Sequence, residues 1–361
     1  MNAGQELGLL GAGVAFVAAL VLVPIARRAA LALDVVDKPG GRKTQRAPVP
    51  LLGGVAVALA AVVGVLVTRA LQGGSAAVAF TGFERVLAVT AIVFLVGLVD
   101  DVFKDRIGPL PKFLAQFLAV VILFHESFAR AVMFDARAGD VFYLVAITLW
   151  FLTVVNAVNF VDNMNGLCAG LATASLLVGL FGLGSAEART ALCAGALGGA
   201  LLGFLPFNFP KARIYLGDAG SHLAGFALAY LSITFTEGFL SGTEASLGLH
   251  GFVPATLLLG LPLYDLLFSV VRRWRERRPL FHGDNRHLSH RLVGAGLDPV
   301  AAVLLLWGTH LMLAAAAVVT LPLNATGRYV WLFVILIALS VLAAWLVRAD
   351  ARRRGTISPS V

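Results

Sequence analysis

Eleven apolar stretches, each close to the length of a bilayer-spanning helix, divide this 361-residue chain. About 20 such residues are needed to cross the hydrocarbon core. The stretches fall at 8–27, 51–70, 85–100, 111–129, 141–159, 166–184, 190–208, 219–237, 251–271, 299–320 and 328–348. Hydrophobic residues make up 59% of the chain and charged residues 13%, where a soluble domain carries about a quarter charged. The expected fold is therefore an all-α polytopic membrane protein with about 11 transmembrane helices. Gly, Pro and charged residues mark nearly every join. With no evident repeat and no compositional break, residues 1–361 read as a single membrane-embedded domain. The N-terminal MNAGQELGLL lacks a positive n-region, so the first apolar run is expected to be retained.

The basic residues orient these spans. With the N-terminus outside, 22 of the 28 Lys and Arg fall in inside loops or the C-terminal tail. Outside segments keep only Arg69, Arg85, Arg130, Arg137, Arg189 and Arg328. That asymmetry predicts a cytoplasmic C-terminus. The net charge of +8 is spread over short loops, which argues against nucleic acid and for anionic lipid or phosphate partners. Cys168 and Cys193 lie in apolar runs without metal or disulfide spacing and read as small packed residues.

Polar clusters interrupt this apolar background in the inside loops 37–54, 100–112, 156–166, 209–221 and 272–298. The first, DKPGGRKTQRAPVPLLGG, is dense in Pro and Gly and carries Arg42 and Lys43. It reads either as an orientation signal or as a loop shaped by its special backbone angles. Asp100 and Asp101 end the third stretch. Adjacent carboxylates stay ionised only with water, cationic partners or a metal, although with Lys104 they could also form exposed ion pairs of little worth. Asn156, Asn159 and Asp162 follow one helix face at the end of the fifth stretch. One such amide is ordinary interhelical glue; three polar groups in line are less so.

Asp218 opens the eighth stretch, where it could be a plain N-cap or serve a cation beside free backbone N–H groups. Gly195, Gly199 and Gly203 are spaced for close helix packing. Asp265 is an intramembrane carboxylate expected to meet the polar site or nearby arginines. Arg272 to Arg278 read mainly as a topogenic, lipid-facing cluster. His287 and His290 are three residues apart and suit hydrogen bonding to phosphate better than zinc, since no thiolate or further His lies near.

In order, these motifs resemble the polyprenyl-phosphate N-acetylhexosamine-1-phosphate transferase superfamily (glycosyltransferase family 4), from about Asp34 to Leu297. The resemblance rests on D-x-P-x-x-R-K and P-x-P-x-x-G-G within Asp37–Gly54, the Asp100–Asp101 pair, and N-x-x-N-x-x-D at Asn156–Asp162. It continues through G-D-x-G-S at Gly217–Ser221, P-x-x-D at Pro262–Asp265 and D-x-x-H-x-x-H at Asp284–His290. It implies transfer of a sugar-1-phosphate, as N-acetylhexosamine-1-phosphate, from a UDP-sugar to a polyprenyl phosphate. UMP would be released at the start of glycan or cell-envelope polymer synthesis.

The resemblance further implies Mg²⁺ (or Mn²⁺) on Asp218 with Asp162, and Asp100, Asp101, Asp162 and His287 as catalytic groups. Arg42, Lys43, Lys104, Lys112, Asn156, Asn159, Arg286 and His290 would bind substrate. A homodimer in the bacterial cytoplasmic membrane, with its site facing the cytoplasm, is also implied. Both direct displacement and a covalent carboxylate intermediate fit this set.

Several positions depart from the family pattern. Gln45 stands where many relatives have His, Asn163 replaces a Gly, Asn165 replaces the second Asp, and Ser289 takes the place of a middle His. The absence of the triple-His motif of MraY favours the WecA-like branch. A transporter is the alternative from another class, but transporters gather polarity near the midplane and in repeated halves. A degenerate lipid-binding relative, suggested by Asn165, is the third reading.

Overall fold

The computed structural model describes residues 1–39, 47–72, 84–103, 107–133, 138–183, 188–234, 251–278 and 287–356. The described residues of every apolar stretch are largely helical, and the fold is all-α and polytopic. The helices are α1 (Ala3–Ala32), α2 (Gly53–Leu71), α3 (Glu84–Phe103), α4 (Pro109–Leu123), α5 (His125–Met133), α6 (Ala138–Phe160) and α7 (Leu167–Gly179). They continue as α8 (Ala188–Asn208), α9 (Gly217–Thr234), α10 (Phe252–Leu258), α11 (Gly260–Arg275), α12 (Leu288–Gly294), α13 (Pro299–Thr320) and α14 (Ala325–Thr356). Six of those described (α1, α2, α3, α6, α8 and α13) are long and apolar enough to cross a membrane.

The ninth stretch is not one straight helix. α10 and α11 meet at 86°. Pro262 has no N–H to continue the ladder to the Leu258 carbonyl, and the Ser175 hydroxyl donates to that oxygen instead, at 2.8 Å. The break aims α11 so that Asp265, Ser269, Arg272 and Arg273, spaced along one helix face, are all buried.

α8 is the most buried of these six spans, and α1 lies against it at backbone distance. A Cβ on Gly195 would stand 2.0 Å from the Gly8 carbonyl oxygen, and one on Gly199 the same distance from that of Ala12. The glycine spacing serves close packing, as expected from the sequence.

Near the N-terminus of α9 the first loop returns to the bundle. A two-residue ribbon pairs β1 (Val36–Asp37) antiparallel with β2 (Val49–Pro50). The Tyr215 N–H donates to the Pro50 carbonyl at 2.8 Å, and the N–H groups of Gly53 and Gly54 donate to the Tyr215 and Leu216 carbonyls. The base of loop 37–54 is thus sewn to the segment that leads into Asp218.

Candidate active site

Four helix ends converge on Asp218. α3 supplies Asp100 and Asp101 at its C-terminus, α4 supplies Lys112 in its first turn, and α6 supplies Asn159 near its end. Close approach makes this possible: a Cβ on Gly97 would lie 2.5 Å from the Asp218 carbonyl oxygen, so only a glycine lets α3 come this near to α9.

The two aspartates of the doublet have different partners. Asp101 accepts the N–H groups of Asp218 and Ala219, one on each carboxylate oxygen and both at 2.9 Å. It therefore caps α9 from another helix, using N–H groups that have no partner within α9. Gly217 makes room for it with φ of +73°, where a Cβ would collide with the carboxylate. Asp218, a candidate N-cap by sequence, is left free of capping and turns its carboxylate elsewhere. Asp100 accepts the Ile107 N–H at 3.2 Å and pairs with Lys112 at 2.5 Å.

Lys112 is the hub of the cluster. Its Nζ donates to Asp100 Oδ2 and, at 2.6 Å, to Asp218 Oδ2. The other Asp218 oxygen accepts the Asn159 amide at 3.0 Å, and that amide also donates to Ser221 Oγ at 2.9 Å. Asp100 is 4% exposed at its side chain, whereas Asp218 is 29% and Lys112 21% exposed. The doublet is interior, while Asp218 and Lys112 face accessible space.

Asp162, just beyond α6, is exposed on one side. The protein walling it, and after that the Asp218 carboxylate, raise its carboxyl to about 7. Burial, with Asp37 and Asp162, likewise raises the Tyr215 hydroxyl. Asn156 sits a turn deeper in α6 than Asn159, and its amide donates to Gln116 Oε1 at 2.8 Å and to the Leu152 carbonyl at 2.7 Å. It ties α6 to α4, the glue role.

A second cluster adjoins the first across Phe160. The Asp265 carboxylate lies 2.8 Å from His287 Nδ1 and accepts the Leu288 N–H at 2.7 Å. This pairing fixes the imidazole, leaving Nε2 as its outward atom. The Phe160 ring lies 5.9 Å from the His287 ring, and the Arg273 guanidinium stacks on the same Phe160 at 5.5 Å. The rings of His287 and His290 are 6.4 Å apart.

Arg273 is only 1% exposed and Arg272 only 7%, which corrects the lipid-facing reading of these two residues. In the sequence the basic run reads as one surface feature. The 265, 269, 272, 273 spacing was the signal that α11 turns these arginines inward.

Asn165 donates its amide to the Pro210 carbonyl at 3.2 Å. An ionised Asp could not make that bond. Arg42, Lys43, Gln45, Lys104 and Arg286 lie outside the described residues.

Among the described residues no group of three or more His, Cys, Asp or Glu side chains forms a metal cage. Magnesium does not require one: it keeps several waters and uses one or two carboxylates beside substrate phosphates. Asp218 and Asp162 offer hard oxygen donors next to accessible space and fit that demand. Asp101, with both oxygens on backbone N–H groups, does not.

Comparison with known proteins places this geometry in context. A family model described as glycosyl transferase family 4 matches residues 83–236. The undecaprenyl-phosphate alpha-N-acetylglucosaminyl 1-phosphate transferase of Thermotoga maritima is 30% identical over 323 residues, covering 86% of this chain and 87% of its own length. The probable undecaprenyl-phosphate N-acetylglucosaminyl 1-phosphate transferase of Bacillus subtilis is 27% identical over 338 residues, covering 91% and 89%. The decaprenyl-phosphate N-acetylglucosaminephosphotransferase of Mycobacterium tuberculosis is 29% identical over 372 residues, covering 96% and 91%.

Proposed function

Because the chain belongs to glycosyl transferase family 4, we propose that it transfers N-acetylglucosamine-1-phosphate from UDP-N-acetylglucosamine to a polyprenyl phosphate. An oxygen of the lipid phosphate attacks the sugar-bearing phosphorus of the donor. A P–O bond forms there as the bond to UMP breaks, giving polyprenyl-diphosphate-sugar and UMP. The observation that carries this reading is the Lys112–Asp218–Asn159 junction, where a cation, a carboxylate and an amide meet at three helix ends.

Two anionic substrates must be brought together, so alignment and charge neutralisation dominate the barrier. Lys112, His287 and His290 hold phosphate oxygens, with Arg42, Lys43, Lys104 and Arg286 of the adjoining loops assigned to the same task. Asn159 orients the donor. Asp218 and Asp162 would hold Mg²⁺, which would supply charge neutralisation for the diphosphate and the departing UMP.

Asp100 aligns Lys112, and Asp101 acts through its hold on α9. Since both doublet carboxylates are engaged by protein donors, direct displacement is favoured over a covalent carboxylate intermediate. Asn156 contributes by fixing α6 to α4.

The topology belongs to the same proposal: eleven spans, the N-terminus outside and the C-terminus cytoplasmic, in a bacterial cytoplasmic membrane. One domain carries its site on the cytoplasmic loops 37–54, 100–112, 156–166, 209–221 and 272–298. The WecA-like branch and a homodimeric assembly complete it.

UMP release by the purified protein tests this reading. It would be supplied with undecaprenyl phosphate and a panel of UDP-sugars, with Mg²⁺ or with EDTA. Metal-dependent release with UDP-N-acetylglucosamine, requiring the lipid, is expected. No release from folded protein with any donor would overturn it.

A further inference from the structure

The loop leaving α6 is bonded to α12 by two side chains, Asn163 and Ser289. The Ser289 hydroxyl donates to Asn163 Oδ1 at 2.6 Å, and the Asn163 amide donates to the Phe160 carbonyl at 2.8 Å. Ser289 is 2% exposed. A glycine at 163 would offer Ser289 no side-chain acceptor.

The bond lies where the two halves of the site meet. Asn163 secures the last turn of α6, which carries Asn159 against Asp218 and Phe160 against His287. Ser289 lies two residues beyond His287, whose ring and the following N–H are held by Asp265 on α11. Without the Asn163 bond, the start of α12 would keep its hydrogen bonds to Asp265 on α11, while toward α6 it would keep the ring contact of His287 with Phe160. A ring contact is less directional than a hydrogen bond, so the imidazole would be less closely placed relative to Asp218.

Resting on the proposed transfer reaction, we infer that Asn163 and Ser289 are a positioning pair that sets the placement of His287 relative to the Asp218 centre. Neither touches substrate in this assignment; both act through His287 and Asn159. Misplacement of a reacting group by about an ångström can cost on the order of 100-fold in rate. Loss of one such bond, with Asp265 still in place, should give a smaller but measurable drop.

The test uses the full-length protein with S289A, S289T, N163A and the N163A/S289A double variant. Steady-state UMP release would be measured against both substrates. Hydrogen exchange would be followed at 287–294 and 160–166. Each alanine variant should lower kcat about fivefold to tenfold with little change in either KM, the signature of lost transition-state alignment. S289T, which keeps the hydroxyl, should stay within about twofold of wild type. The double variant should be no worse than either single, as residues sharing one interaction are non-additive.

Exchange at 287–294 should rise in N163A, and at 160–166 in S289A. Multiplying losses in the double variant, or unchanged kcat with only a lowered melting temperature, would overturn the positioning role. Unchanged exchange in the opposite segment would overturn the bond itself. A wild type that releases no UMP would remove the transfer reading and the catalytic part of this inference, while the exchange data would still decide the clamp.

Discussion

Asp101 holds Asp218 by its backbone: one oxygen of the Asp101 carboxylate accepts the Asp218 N–H and the other accepts the Ala219 N–H, each at 2.9 Å. The end of α3 is thereby joined to the start of α9, and the Asp218 side chain is left free to meet Lys112 and Asn159. One aspartate of the doublet builds the site so that another residue can be its exposed carboxylate.

Replacing Asp101 by alanine would leave those N–H groups without an acceptor in an interior position. We expect D101A to lose about 1–3 kcal/mol of stability, with activity falling as α9 shifts. D101N keeps one acceptor oxygen and should be intermediate. Thermal unfolding in detergent, read beside UMP release, checks this; a D101A protein as stable as wild type would refute the capping role.

Asp218 should behave in the opposite way. D218A is expected to fold normally and to lower turnover by about 100- to 1,000-fold, the range for removing one preorganised electrostatic group. Binding of polyprenyl phosphate should largely survive. Retained turnover in D218A would remove the residue from the reaction.

The Lys112 ammonium occupies the neighbourhood of the Asp218 oxygen that a divalent cation would use, at 2.6 Å. Lysine and cation should therefore compete. K112M is expected to bind Mn²⁺ about tenfold more tightly than wild type, a difference of ~1.4 kcal/mol, while its UMP release falls. Mn²⁺ titration followed by electron paramagnetic resonance in the absence of substrate reads the first effect. Equal or weaker binding in K112M would show that the two do not compete.

His287 owes its orientation to Asp265, 2.8 Å away. H287A should lose about 100-fold or more in turnover if the ring moves or holds a proton, and D265N should lose a large part of that. D265N can still bond the ring, but an amide facing Nδ1 no longer enforces the same tautomer. Steady-state UMP release of wild type, H287A and D265N checks this; a D265N protein as active as wild type would deny Asp265 any part in setting the imidazole.

Gly97 offers a check on the packing that brings the cluster together. G97A places a methyl group 2.5 Å from the Asp218 carbonyl oxygen, and overpacking of this kind costs about 1–3 kcal/mol. Activity should fall together with stability, and a stable, fully active G97A would show that α3 and α9 can separate without consequence.

Much of this was legible in the chain itself. Apolar runs of bilayer length leave helices as the way to satisfy backbone groups in lipid, so the all-α fold followed from composition and spacing. The glycines at 195, 199 and 203 announced a close helix pair, and α1 indeed lies on α8 at that face. The ordered motifs named the residues that meet at Asp218, because each motif sits at a helix end and carries groups too costly to leave in hydrocarbon.

Partnership was not legible. Asp100 and Asp101 are neighbours of the same type, yet one pairs with Lys112 and the other caps α9, because their side chains leave α3 in different directions. Asn156 and Asn159 share a helix face, yet only Asn159 is level with Asp218. The basic run that begins in the last turn of α11 reads as surface charge in the sequence, but the break between α10 and α11 turns Arg272 and Arg273 inward. Sequence determined which helices form and which polar residues lie at their ends, since period and hydropathy are local quantities. Only the tertiary structure decided which donor meets which acceptor, because a hydrogen bond depends on a few ångströms of distance and direction between segments far apart in the chain.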